Sequence, residues 1–255
     1  PTFGMYPYNT SLCAGRLLDV PRRGDFSVDV EAVERAVAAA DRPVKMLFVN
    51  SPNNPDGSLI AAGDLERLLR LPLIVVLDEA YAEFAGESFV SWVPEHWNLI
   101  VLRTFSKWAG LGGLRIGYGV YPLPIAAQLW KIKPPYSINV AAQEAVLASL
   151  AERDYLMANV ARIVSERERL QGLLRALPGI HPYPSQSNFI LCRVRGRSSL
   201  ELKRDLERQG ILVRYYSKPG LDDCIRISVG RPEQNDAAIE ALRQALAKPA
   251  PLEAS

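Results

Sequence analysis

Three short, nearly continuous apolar runs, residues 44–49, 73–77 and 99–102, constrain the fold of this 255-residue chain more than any other feature. Each is short enough for a strand and too apolar for a sheet with one wet face, so each reads as a strand covered on both sides. A helical stretch over 61–69 separates the first two, the βαβ spacing of a parallel sheet. Residues 16–20 read as a further short strand and 115–121 as another. Helices are expected over 29–39, with Val30, Val33, Ala36 and Val37 on the apolar side and Asp29 or Ser27 as cap, and over 123–132 and 140–150. From 153 to 177 the pattern is one long amphipathic helix, with Leu156, Val160, Ile163, Val164, Leu170 and Leu174 inward, stopped by Pro178-Gly179. Beyond it, strands at 188–194, 211–215 and 224–229 alternate with helices at 199–209 and 232–247. The expectation is an α/β large domain over 1–152, with a mostly parallel sheet flanked by helices, and a small C-terminal α+β domain over 153–255 whose Pro-rich end, 248–255, frays.

Chemistry gathers where the apolar runs stop. The second run meets Asp78-Glu79-Ala80-Tyr81, and an acid at the end of a buried strand calls for a cationic partner. The third is followed by Thr104-Phe105-Ser106-Lys107 and a glycine-rich, otherwise apolar stretch to Arg115. A lysine in apolar surroundings near other cations loses proton affinity and can act as a nucleophile. The first run ends in Ser51-Pro52-Asn53-Asn54-Pro55-Asp56-Gly57, a turn rich in amides. Three strand ends thus offer an amide, an acid and an amine.

Each feature alone has an ordinary explanation. A Ser-Lys pair is commonly a solvated helix start, and Asp78 could cap a helix. Arg226, alternating with Ile225, Ile227 and Val229, could face water from an edge strand. Phe3, Met5 and Tyr6 could be core, Met5 above all. Gly110-Leu111-Gly112-Gly113 suggests a dinucleotide loop, but Arg115 stands where that loop needs its last glycine. His96 and His181 have no Cys or acidic companions at ligand spacing, so no metal is expected.

Composition narrows the classes further. Thirty basic and twenty-eight acidic residues give a net charge of +2, and 162–169 mixes both signs, as a solvated helix does and a nucleic-acid stripe does not. Cys13, Cys192 and Cys224 are odd in number and widely spaced, which argues against a disulfide framework and suits a reducing cytoplasm. The longest apolar run, around 71–77, is too short to span a bilayer as a helix, and no signal peptide is visible.

Pyridoxal phosphate needs a lysine for its aldehyde, an acid for its ring nitrogen, donors for its phenolate oxygen and cationic or hydroxyl groups for its phosphate. The strand ends supply each kind. The chain also resembles the fold type I (class I/II) pyridoxal-phosphate-dependent aminotransferases, and among them the histidinol-phosphate aminotransferases. The resemblance rests on Pro1-Thr2-Phe3-Gly4-Met5-Tyr6, the 51–57 turn, Asp78-Glu79-Ala80-Tyr81, Ser106-Lys107 through Arg115, Ser187-Asn188-Phe189 and Cys224-Ile225-Arg226-Ile227-Ser228-Val229-Gly230, in the family's order.

That resemblance implies Lys107 as cofactor anchor and proton shuttle, Asp78 against the pyridine nitrogen, and Asn54 and Tyr81 as donors to the phenolate oxygen. It implies Ser106 and Arg115 on the phosphate with Thr104 a lesser contributor, and Phe3 stacked on the ring where close relatives often carry tyrosine. Arg226, helped by Arg214, would bind the substrate carboxylate and, in the other half-reaction, a phosphate; Asn188 falls near the site with no assigned role. The implied reaction moves an amino group between glutamate and imidazole-acetol phosphate, in a homodimer, with no nucleic-acid or membrane partner. An aromatic aminotransferase or a threonine-phosphate decarboxylase would reuse the same residues, and a transcription regulator that binds the cofactor without turnover is the rival of another class. The resemblance further implies a chain truncated at Pro1, lacking roughly a hundred residues that include the glycine-rich phosphate cradle at a helix N-terminus.

Overall fold

The computed structural model describes residues 1–247, so the expected fraying of 248–255 lies outside the described residues. The chain divides into two compact units, one of residues 2–54 and 58–160, the other of residues 1, 55–57 and 161–255. That division falls inside the helix Arg153–Arg175, eight residues beyond the sequence-based boundary at 152/153. Leu170 and Leu174, in the later part of that 23-residue helix, join a buried cluster of the second unit.

The first unit is built on a sheet ordered β1-β2-β3-β4, formed by Met46–Asn50, Ile74–Asp78, Leu99–Thr104 and Gly117–Val120. β1, β2 and β3 run parallel, as the apolar runs predict, and β4 closes the row antiparallel to β3. Helices α1 (Met5–Leu12), α2 (Val30–Ala38), α3 (Ala62–Leu69), α4 (Ala82–Ala85), α5 (Leu123–Ile132) and α6 (Val140–Ala151) belong to the same unit. α2 starts at the expected cap, Asp29 accepting a hydrogen bond from the Ala32 amide at 3.0 Å. Val30 and Val33 of α2 and Leu65 and Leu68 of α3 pack with Val75, Leu77, Leu99 and Val101, forming the core on one face of the sheet.

Several expectations fail here for identifiable reasons. β1 is not covered on both faces: Met46 and Phe48 are exposed, because their side of this edge strand lies opposite the helices that bury Val49. Residues 16–20 form no strand; Arg16 instead pairs with Asp41 at 2.6 Å, and no neighbouring strand takes the backbone. Met5 is 41% exposed on α1, a helix the sequence pattern does not signal because its apolar residues follow no clear 3.6 period.

The second unit is an antiparallel sheet ordered β5-β6-β8-β7, from Ile180–Pro182, Phe189–Val194, Arg214–Tyr215 (β7) and Cys224–Ser228 (β8). It carries the later part of α7 (Arg153–Arg175), α8 (Ser199–Arg208) and α9 (Pro232–Ala247). Leu170 and Leu174 meet Ile190, Leu202, Leu206, Ile225, Ile239 and Leu242 in one buried cluster. α7 also buries Arg167, which donates to the Ser187 carbonyl at 3.1 Å, and so fixes the turn that leads into β6. In the same unit Gly57 holds φ +83°, and a Cβ there would lie 2.1 Å from the Ser185 hydroxyl. That hydroxyl cannot yield, since it donates to the Phe189 carbonyl at 2.6 Å and accepts from the Ser187 amide at 3.1 Å. We expect Gly57→Ala to cost about 2 kcal/mol or more, read as a lowered urea midpoint, because left-handed strain and steric clash add.

Candidate active site

The parallel register brings Asn50, Asp78 and Leu102 into one row across the C-terminal ends of β1, β2 and β3. In open α/β sheets that edge is where ligands bind. The loops leaving it carry Asn53 and Asn54, Glu79 to Tyr81, and Phe105 to Arg115. The 51–57 turn divides its two amides. Asn53 is fully buried and accepts from the Thr2 hydroxyl at 2.8 Å, while its amide N–H donates to the Ser58 carbonyl. Asn54 is half-buried.

The loop after β3 is held by its own backbone and by Thr104. The Thr104 hydroxyl accepts from the Ser106 amide at 3.0 Å and donates to the Ile116 carbonyl at 3.4 Å. Its visible work is therefore shaping the loop that presents Ser106 and Lys107. The Lys107 carbonyl accepts from Gly110, whose φ of +71° turns the chain, and Leu111 returns to the Phe105 carbonyl. Arg115 stands in the left-handed region at φ +55°, directly after the 3-10 turn Gly112–Leu114, and its guanidinium donates to the Gly112 carbonyl at 2.7 Å. A non-glycine residue in that conformation stores backbone strain, of the kind that clusters at functional sites. The sequence leads one to expect Lys107 in apolar surroundings; it is instead exposed, with its ammonium 5.4 Å from the centre of the buried Tyr81 ring. Gly110, Gly112 and Gly113 further along the loop bring no side chains that could cover it.

Asp78 shows no cationic partner among the described residues. Its Oδ1 accepts from the Ala80 amide at 3.0 Å, and its Oδ2 from the Tyr6 hydroxyl at 2.6 Å. The first bond is an Asx-type turn, so Asp78 shapes the strand exit, and the helix cap falls later, at Tyr81. Tyr6 also touches the buried amide of Asn50. Burial and the Asp78 charge push the Tyr6 phenol well above its ordinary pKa, so it remains a donor. Tyr6 and Asn50 are members of this cluster that motif reading passes over. The available signal is their spacing: Phe3 and Tyr6 lie three apart at the start of a helix, and Asn50 ends an apolar run.

Beside Asp78 lies a buried ionic network. Glu79 is 1% exposed; it accepts from the Phe89 amide at 2.7 Å, the Ser88 hydroxyl at 2.6 Å and Arg103 at 2.9 Å. Arg103 also reaches Glu83 at 2.7 Å. Burial works against the Arg103 charge, but Glu83 and Glu79 more than offset it and hold the guanidinium firmly protonated.

In the second unit Arg214 and Arg226 face one another directly across β7 and β8. Arg226 is half-buried, its guanidinium 4.6 Å from the Phe189 ring centre, while Arg214 is exposed and lies 5.6 Å from that of Tyr216. Asn188 gives its backbone carbonyl to the Val229 amide at 2.9 Å. Cys13, Cys192 and Cys224 are free thiols, and burial raises that of Cys224 to about 12. No group of three or more His, Cys, Asp or Glu among the described residues could hold a metal ion. No helix among them is long and apolar enough to cross a membrane.

Residues 1–242 of the chain match the family described as aminotransferase class I and II, and the chain belongs to it. It is 54% identical over 247 residues to a histidinol-phosphate aminotransferase of Roseiflexus castenholzii, covering 96% of this chain and 66% of that protein. It is 48% identical over 246 residues to the chloroplastic histidinol-phosphate aminotransferase 1 of Arabidopsis thaliana, covering 96% and 58%. The solved histidinol-phosphate aminotransferase from Sinorhizobium meliloti in complex with pyridoxal-5'-phosphate superposes with a TM-score of 0.85 at 29% identity, covering 96% of this chain and 68% of that one. The chain thus spans between 58% and 66% of the length of the two curated relatives.

Proposed function

We propose that the chain carries the cofactor and substrate groups of a pyridoxal-phosphate-dependent aminotransferase exchanging an amino group between glutamate and imidazole-acetol phosphate, in histidine biosynthesis. The observation that carries the chemistry is the shared edge of β1, β2 and β3, with Asn54, Tyr81 and Lys107 in the loops beyond it. The 54% identity to a histidinol-phosphate aminotransferase supports the substrates. The donor set suits the cofactor. Asp78 takes one hydrogen bond on each oxygen and keeps lone pairs for a ring N–H.

When bound, pyridoxal phosphate supplies an aldehyde and an electron-withdrawing ring. Lys107 Nζ would hold that aldehyde and is the amine in reach to take up and return a proton beside it. Asp78 would accept from the ring nitrogen, a close opposite charge favouring the protonated ring by about 1–3 pKa units. Asn54 and Tyr81 would donate to the phenolate oxygen. Ser106 and Arg115 would hold the phosphate in the loop that Thr104 shapes, and Phe3 would lie against the ring. Arg226 grips a substrate carboxylate or phosphate through its planar fork, and Arg214 adds the second charge that a dianion needs. The working form in this reading is a cytoplasmic homodimer.

Two experiments test this. Borohydride reduction of the chain mixed with pyridoxal phosphate, followed by peptide mapping, should label Lys107 alone; failure in a chain extended to the relatives' full length would end the cofactor reading. Arg226→Lys keeps the charge but loses the bidentate fork, so KM for glutamate should rise about 10- to 100-fold with kcat nearly unchanged, the equivalent of one charge-assisted hydrogen bond. Release of carbon dioxide from a phosphorylated amino acid in the same assays would point to the decarboxylase instead.

A further inference from the structure

We infer that Tyr6 is a positioning residue for both groups assigned to the pyridine ring, its hydroxyl fixing the Asp78 carboxylate and its aromatic ring fixing Phe3. The inference rests on the cofactor reading above. Tyr6 has one phenolic proton and two acceptors in reach, Asp78 Oδ2 at 2.6 Å and the Asn50 side chain. The carboxylate is the stronger acceptor, so the proton goes to Asp78, and a half-turn of the Asn50 amide, whose Oδ1 faces the phenol, would set its NH2 there instead. With Ala80 N–H on Oδ1 and Tyr6 O–H on Oδ2, the carboxylate carries one fixed donor on each oxygen. Its plane is then set before any ligand arrives, which is what electrostatic preorganisation requires.

The ring of Tyr6 does separate work. It stacks on Phe48 with centroids 5.1 Å apart at 25°, which anchors it to β1, and it meets Phe3 edge-on at 5.8 Å and 83°. Phe3 is 41% exposed, and Tyr6 is its one ring contact among the described residues. Removing the hydroxyl should therefore loosen Asp78 alone, and removing the ring should loosen both groups. The high proton affinity of the Tyr6 phenol keeps the donor in place across the pH range of any assay.

The test uses the 255-residue chain loaded with pyridoxal phosphate labelled with 15N in the ring, in unsubstituted, Tyr6→Phe, Tyr6→Leu and Tyr6→His forms. In the unsubstituted chain the bound ring nitrogen should resonate as protonated. Tyr6→Phe should move it measurably toward the unprotonated position, lower kcat about 10- to 100-fold and leave KM for glutamate within about twofold. Tyr6→His restores an N–H donor and should recover part of the shift. Tyr6→Leu should add at least a further threefold loss of cofactor affinity, as Phe3 loses its brace. A ring-nitrogen resonance in Tyr6→Phe identical to the unsubstituted chain would overturn the inference while leaving the cofactor reading intact. No protein-bound signal either in the unsubstituted chain or in one extended to the relatives' full length would overturn both. Should Tyr6→Phe fail to fold, the 13Cζ shift of the Tyr6 ring at neutral pH, in cofactor-free chain with and without Asp78→Asn, decides instead: a shift that moves on the substitution upholds the bond, and an unmoved shift removes it.

Discussion

Lys107→Ala should abolish turnover, with kcat for the glutamate half-reaction falling by about 10⁴ or more in single-turnover kinetics. A positioned proton-transfer group contributes about 10²–10⁴ on its own, and this substitution removes a covalent anchor as well. Fold stability should change little, since Lys107 is exposed and its loop is held by backbone bonds from Gly110 and Leu111 and by Thr104. The pairing of lost chemistry with kept stability is what separates a catalytic lysine from a structural one. A Lys107→Ala chain that retained more than about a hundredth of its rate would refute the assignment, because no other lysine lies in the loops leaving that sheet edge.

Glu79→Ala should instead cost stability, about 3 kcal/mol by chemical denaturation. It strips the half-buried Arg103 of one of two acid partners and takes from the Phe89 amide an acceptor that is itself 1% exposed, while the exposed Ser88 hydroxyl can turn to water. Glu83 remains as a partner at 2.7 Å, which keeps the loss from reaching the full cost of an unpaired buried charge. Against a total stability of about 5–15 kcal/mol such a loss is large. Glu79→Gln, which can still accept from Ser88 and Phe89, should lose roughly half as much. Adjacent residues would thus divide the labour in this proposal: Asp78 for the cofactor, Glu79 for the ionic network beside it.

The first unit's sheet was readable because β1, β2 and β3 are apolar runs with helices between them, a pattern that admits few topologies. The direction of β4 was not, since a strand of four residues, two of them glycine, carries no periodicity that tells parallel from antiparallel. Lys107, Asp78 and Asn54 stood out because each interrupts an apolar context with a reactive or polar group. Tyr6 did not, because phenylalanine or tyrosine near methionine reads equally well as core, and only the tertiary bond to Asp78, seventy-two residues on, assigns its hydroxyl. Met5 was misread for the same reason: α1 exposes residues that elsewhere would be buried. The exposure of Lys107 likewise follows from what surrounds it in space, which local composition does not encode.

Arg115 carries one more lesson. At φ +55° its backbone would be more comfortable as glycine, and Arg115→Gly would relieve strain while deleting the guanidinium assigned to the phosphate. Here the interest of the polypeptide and the interest of the reaction point in opposite directions. A search for hardier versions of this chain, guided by conformational comfort alone, would choose that replacement early and with it remove the guanidinium that the proposed function gives to the phosphate.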